Sequence, residues 1–128
     1  MKPPFLKHDP QTADPQYLED LATGYWFSEV LFAAVKAGVF TLLATGGKTA
    51  AQLAGILNFD RPGAERFLHA LCAIGLLASD GDLFFNSRVS QEYLVEGREN
   101  YQGDSILWRQ YLGSHWQSLG KCIEAGGR

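Results

Sequence analysis

Residues 31–94 read LFAAVKAGVFTLLATGGKTAAQLAGILNFDRPGAERFLHALCAIGLLASDGDLFFNSRVSQEYL, and their punctuation decides the fold. Gly38 interrupts an apolar run, and Thr45-Gly46-Gly47 ends the short helix expected from Val39. Thr49 stands where a helix cap belongs, ahead of a helix over 50–57 whose Leu53, Ile56 and Leu57 are expected to face inward. Asp60 caps a further helix over about 61–74, with Pro62 in its first turn. Ala64, Phe67, Leu68, Leu71 and Cys72 recur there at helical spacing and mark its buried face. Leu76-Leu77-Ala78 and Leu83-Phe84-Phe85 read as two strands, with Asp80-Gly81 as the tight turn between them. Ser90 is read as the cap of a last short helix through Leu94. Three helices followed by a hairpin, with connections this short, is the winged helix-turn-helix plan.

Working outward, Asp14-Pro15 starts a helix expected to run to Ala37. Its first stripe is Leu18, Leu21, Ala22, Tyr25, Phe32 and Val35. Trp26, Phe27, Val30, Leu31 and Ala34 occupy its other faces, and only Ser28, Glu29 and Lys36 are polar between 25 and 37. A helix apolar on most faces has to be covered on most faces. A chain of 128 residues has little interior to cover it twice, so a second chain is the expected cover. On the C-terminal side, Asp104 or Ser105 opens a helix in which Trp108, Leu112, Trp116, Leu119 and Ile123 form one stripe. The expected architecture is mainly α: a flexible arm at 1–14, a dimerisation helix at 15–38, a winged-helix-like core with a small β-hairpin at 39–95, and a C-terminal helix region at 96–128.

Composition narrows the function classes. The chain is one ordinary domain in length, 46% hydrophobic, with a formal net charge of −3. That balance gives no general attraction to nucleic acid or anionic lipid. Tyr25–Thr45 is long enough to span a bilayer, but Glu29, Lys36 and Gly38 interrupt it, and two helices of a soluble protein are expected instead. Cys72 and Cys122 are read as buried thiols in a reducing cytosol, with a disulfide between them left open by the sequence.

The motifs for chemistry are missing. Gly47-Lys48-Thr49 ends like a phosphate-binding loop, but Leu42 stands where the first glycine is needed. No G-x-G-x-x-G occurs. His8, His69 and His115 are far apart, and two isolated cysteines supply no zinc set. No catalytic, cofactor-binding or metal residue is expected. DNA binding by a winged-helix regulator is the alternative function, with Arg61, Glu65, Arg66, His69 and Ala73 facing outward on the reading helix. Against it, four basic and four acidic residues cancel over 39–90, and the wing tip Asp80-Gly81-Asp82 is acidic.

Ala37-Gly38-Val39-Phe40-Thr41-Leu42-Leu43 resembles the step from a lone helix into Gly-hydrophobic-Phe-x-x-Leu found in S-adenosylmethionine-dependent O-methyltransferases of the caffeate and hydroxyindole type and their bacterial relatives. Arg66-Phe67-Leu68-His69-Ala70-Leu71 running into Gly75-Leu76-Leu77 resembles the same family's helix-to-wing step. The resemblance covers about 15–125 and implies the N-terminal dimerisation domain. It implies a cytoplasmic homodimer held by 17–37 and 105–123, with Tyr25, Trp26, Phe27, Val30, Leu31, Ala34, Trp108, Leu112 and Trp116 as interface residues. It also implies that S-adenosylmethionine and the small-molecule acceptor belong to a catalytic domain outside this sequence, whether the chain is a fragment or a product that lost that domain. Neither nucleic acid nor membrane is an expected partner.

Overall fold

The computed structural model describes residues 14–126. The arm expected over 1–14 lies, apart from Asp14, outside them, as does His8. Asp14 caps α1 (Pro15–Ala22) by accepting a hydrogen bond from the Gln16 backbone N–H at 2.9 Å. The helix expected to continue to Ala37 breaks instead at Thr23-Gly24. There the Thr23 hydroxyl donates back to the Glu19 carbonyl at 2.8 Å and competes with the helical ladder. α2 (Tyr25–Ala37) follows and ends at Gly38, whose φ of 78° is the left-handed stop that glycine adopts without strain.

α3 (Val39–Leu42) leads through turns to β1 (Lys48–Thr49). Thr49 then opens α4 (Ala50–Leu57) with a reciprocal capping box. Its hydroxyl accepts from the Gln52 N–H at 3.1 Å, and the Gln52 side chain accepts from the Thr49 N–H at 2.8 Å. Asp60 caps α5 (Arg61–Ala73) through the Gly63 N–H at 2.9 Å. β2 (Leu77–Asp80) and β3 (Leu83–Asn86) form the hairpin. Its two loop residues are Gly81-Asp82 rather than Asp80-Gly81, because Asp80 pairs with Leu83 and Gly81 takes the positive φ of 61°. β1 joins this hairpin antiparallel, Lys48 opposite Phe84, giving the sheet order β1-β3-β2. The result is a mainly helical fold with a small antiparallel sheet, as the sequence implied.

α6 (Arg88–Tyr93) corrects the reading of Ser90 as a cap. Ser87 occupies the cap position, and Ser90 is fully buried inside the helix, where its hydroxyl donates to the Leu76 carbonyl at 2.6 Å. α7 (Gly103–Trp116) and α8 (Leu119–Glu124) replace the single C-terminal helix. The stripe from Trp108 to Ile123 is therefore interrupted at Gln117-Ser118.

One core joins α2 to α6. Val39, Phe40, Leu43, Leu53, Leu68, Leu71, Leu77 and Phe84 are buried in it, with Ala34 and Val35 entering from the end of α2. Phe67 and Cys72 are only partly buried at its margin. Ile56, expected to face inward, is exposed, because it sits about 100° round the helix from Leu57 and off the Leu53–Ala54–Leu57 face. A polar clasp holds α3 to the sheet. Asn86 Nδ2 donates to the Phe40 carbonyl and to Gln91 Oε1, both at 2.8 Å, and Gln91 Nε2 donates to the Ala44 carbonyl at 3.0 Å. No helix among the described residues is long and apolar enough to cross a membrane.

Candidate self-association surface

The interface residues inferred from sequence fall into three groups. Ala34 is 0% exposed and serves its own chain's core, so it leaves the candidate surface. Val30 and Leu31 pack against that core and are half-buried, as is Phe27. Tyr25 and Trp26 are 62% and 58% exposed and meet edge to face. On α7, Trp108 and Trp116 are 57% and 70% exposed, while Leu112 is half-buried.

Leu18 and Leu21 on α1, and Leu119 and Ile123 on α8, all members of the apolar stripes seen in the sequence, are exposed as well. Sequence reasoning missed Tyr111. Tyr111 stacks on Trp108 at a centroid distance of 5.1 Å and meets His115 edge-on at 5.3 Å, forming a short exposed aromatic ladder. Between α2 and α7 runs an open groove of about 870 Å³. Tyr25, Glu29 and Phe32 line it from α2, and Arg109, Gly113 and Trp116 line it from α7. Arg109 is held by Ser105, donating to its hydroxyl at 2.6 Å and to its carbonyl at 2.9 Å.

Ladder and groove lie on different sides of α7. The groove residues 106, 109, 110, 113 and 117 repeat every three or four positions, and Trp108, Tyr111 and His115 fall between them. α7 therefore carries Ile106 and Trp116 among polar residues on its groove side and an exposed aromatic ladder on the other. A stripe at i, i+4, i+8 shows that a helix is apolar, but not how many sides it leaves open.

The chemistry of the described residues is sparse. No group of His, Cys, Asp and Glu among them gathers to hold a metal ion. The sheet is antiparallel, and no parallel strand-helix-strand unit occurs among the described residues. Both cysteines are free. Cys72 is part-buried, and burial pushes its thiol above the ordinary range. Cys122, expected buried, is exposed, because α8 buries none of its residues. At the hairpin tip Asp80 and Asp82 are both exposed, and His69 on α5 meets Phe84 edge-on at 5.4 Å.

Comparison with known proteins identifies this architecture. The family described as the O-methyltransferase dimerisation domain matches residues 19–96. The N,N-dimethyltransferase OxyT of Streptomyces rimosus is 36% identical over 115 residues, covering 89% of this chain and 33% of that protein. The 3-hydroxy-5-methyl-1-naphthoate 3-O-methyltransferase of Streptomyces sahachiroi is 36% identical over 108 residues, covering 84% and 31%. Among solved structures, an O-methyltransferase family protein of Burkholderia thailandensis superposes with a TM-score of 0.81 at 30% identity, covering 88% of this chain and 33% of that one. Human N-acetylserotonin methyltransferase in complex with SAM gives 0.77 at 28% identity, covering 93% and 36%. The chain thus spans about a third of the length of the curated relatives it matches. With its helices, hairpin and exposed flanking aromatics placed as described, the chain belongs to the O-methyltransferase dimerisation-domain family.

Proposed function

We propose that this chain is the self-association part of a cytoplasmic S-adenosylmethionine-dependent methyltransferase, pairing two subunits through its flanking helices. The observation that carries the reading is the contrast in cover: the core closes within one chain, while Leu18, Leu21, Tyr25, Trp26, Trp108, Trp116, Leu119 and Ile123 on its flanking segments, α1, the start of α2, α7 and α8, stay exposed. Cofactor and acceptor chemistry would then be supplied by residues outside these 128. The relatives support methyl transfer, and the SAM in the human structure supports the cofactor. Because one relative is named an N,N-dimethyltransferase and another an O-methyltransferase, the proposal is methyl transfer to nitrogen or oxygen.

The three tryptophans of the sequence test it directly, because Trp26, Trp108 and Trp116 all sit on the flanking helices. Self-association through these helices shifts their emission to shorter wavelength and weakens acrylamide quenching, and dilution reverses both. Emission of water-exposed tryptophan at every concentration would overturn the proposal.

A further inference from the structure

We infer that the end of α6 straps down the start of α7, with Glu92 as the fastener, so that α7 is fixed on the core before any partner chain arrives. The strap belongs to the single chain and holds whether or not two chains meet.

Residues 94–102 join the closed core to the open flank. Gly97 turns the segment with a φ of 87°, and Arg98, Glu99 and Asn100 stand exposed at its tip. Held only at its ends, such a connection would let α7 swing. It is held along its length instead. Leu94 and Val95 are buried, and the Glu96 N–H donates to the Thr41 hydroxyl on α3 at 3.0 Å. Glu92 spends both carboxylate oxygens on the far side of the turn. Oε2 accepts from the Arg98 guanidinium at 3.3 Å, and Oε1 accepts from Asn100 Nδ2 at 2.9 Å. The next residue, Tyr93, accepts the Gln102 N–H through its carbonyl at 2.7 Å.

Two consecutive residues of α6 therefore hold Arg98, Asn100 and Gln102, and Gln102 is the cap position of α7. Gly103 opens the helix, buried beneath the Tyr101 ring, where any side chain would collide with that ring. Each bond is modest at an exposed position, but once one closes the turn the others form at high effective concentration. Packing of α7 on α2 then sets its direction. Glu92 lines no part of the groove between those helices, so it is a positioning residue for a surface that it does not touch. A preset α7 leaves less ordering to be done when a partner binds.

Limited trypsin digestion read by mass spectrometry tests the strap, because Arg98 is a cleavage site inside it. Cleavage after Arg66, in α5, reports opening of the core in the same sample. Where reclosing outpaces cleavage, each rate follows the population of opened chain. Glu92→Ala and, separately, Asn100→Ala should raise the ratio of Arg98 to Arg66 cleavage by about threefold to fivefold. In the unaltered chain the ratio should stay constant on dilution. An unchanged ratio in either variant, or a ratio that climbs as the unaltered chain is diluted, would overturn the inference. A chain that sediments as a monomer, with both variant effects intact, would overturn the self-association reading and leave the strap standing.

Discussion

The core from α2 to α6 and the helices that flank it contain similar side chains and treat them differently. In the core unit Phe40, Leu53 and Leu71 are almost completely buried, and the helix starts are capped by Thr49 and Asp60. In the flanks, counting the start of α2 with them, Trp26, Trp108 and Trp116 are each more than half exposed. The difference shows where one chain is sufficient and where it is not. Burial contributes roughly 25 cal/mol per Å² of apolar surface, so the core unit gains that stabilisation alone and the flanks gain it only against another surface.

The largest expected effect falls on the core. Phe40→Ala should cost about 3–5 kcal/mol in urea unfolding, because it leaves a cavity beneath α3 and the sheet. Trp108→Ala, at an exposed position, should stay within about 0.5 kcal/mol at the same protein concentration. Similar losses at the two positions would erase the distinction between the regions.

A second substitution sharpens it from the other side. Leu18→Asp with Leu21→Asp should abolish dimerisation while leaving the far-ultraviolet dichroism of the core unchanged, since both side chains are exposed in the single chain. Loss of the dichroism would place α1 inside the folding unit instead.

Smaller effects follow from single groups. Thr49→Ala should cost about 0.5–2 kcal/mol by removing the capping box with Gln52, measured by thermal unfolding. Tyr101 adds a pH dependence. Burial, then the negative charges of Asp104 and Glu96, raise its phenol above the ordinary value of 10.0. The neutral form is therefore favoured by folding, and this contribution is fully present below pH 10.0. It is lost as pH rises through the folded-state value. Tyr101→Phe should flatten that alkaline decline in a urea titration, and an unchanged slope would remove Tyr101 as its source.

The core was legible because its helix boundaries are written in single residues. Gly38, Thr49 and Asp60 each stand at a position where one side chain, or its absence, satisfies the backbone. β1 was not legible, because two residues, Lys48 and Thr49, carry no period, and their pairing with β3 is set by tertiary contact. Ser87 and Ser90 are both good cap residues three positions apart, and only the buried bond to Leu76 separates their roles. The flanking aromatics were legible as a demand for cover. Which side of α7 would receive it was not, because the groove side and the ladder side both carry apolar groups.

Sedimentation equilibrium of the 128-residue chain over a concentration series tests the central claim most directly. The account predicts the mass of two chains at micromolar concentration, returning to one chain when Leu18 and Leu21 are replaced by Asp. A single-chain mass for the unaltered sequence throughout the series would contradict it.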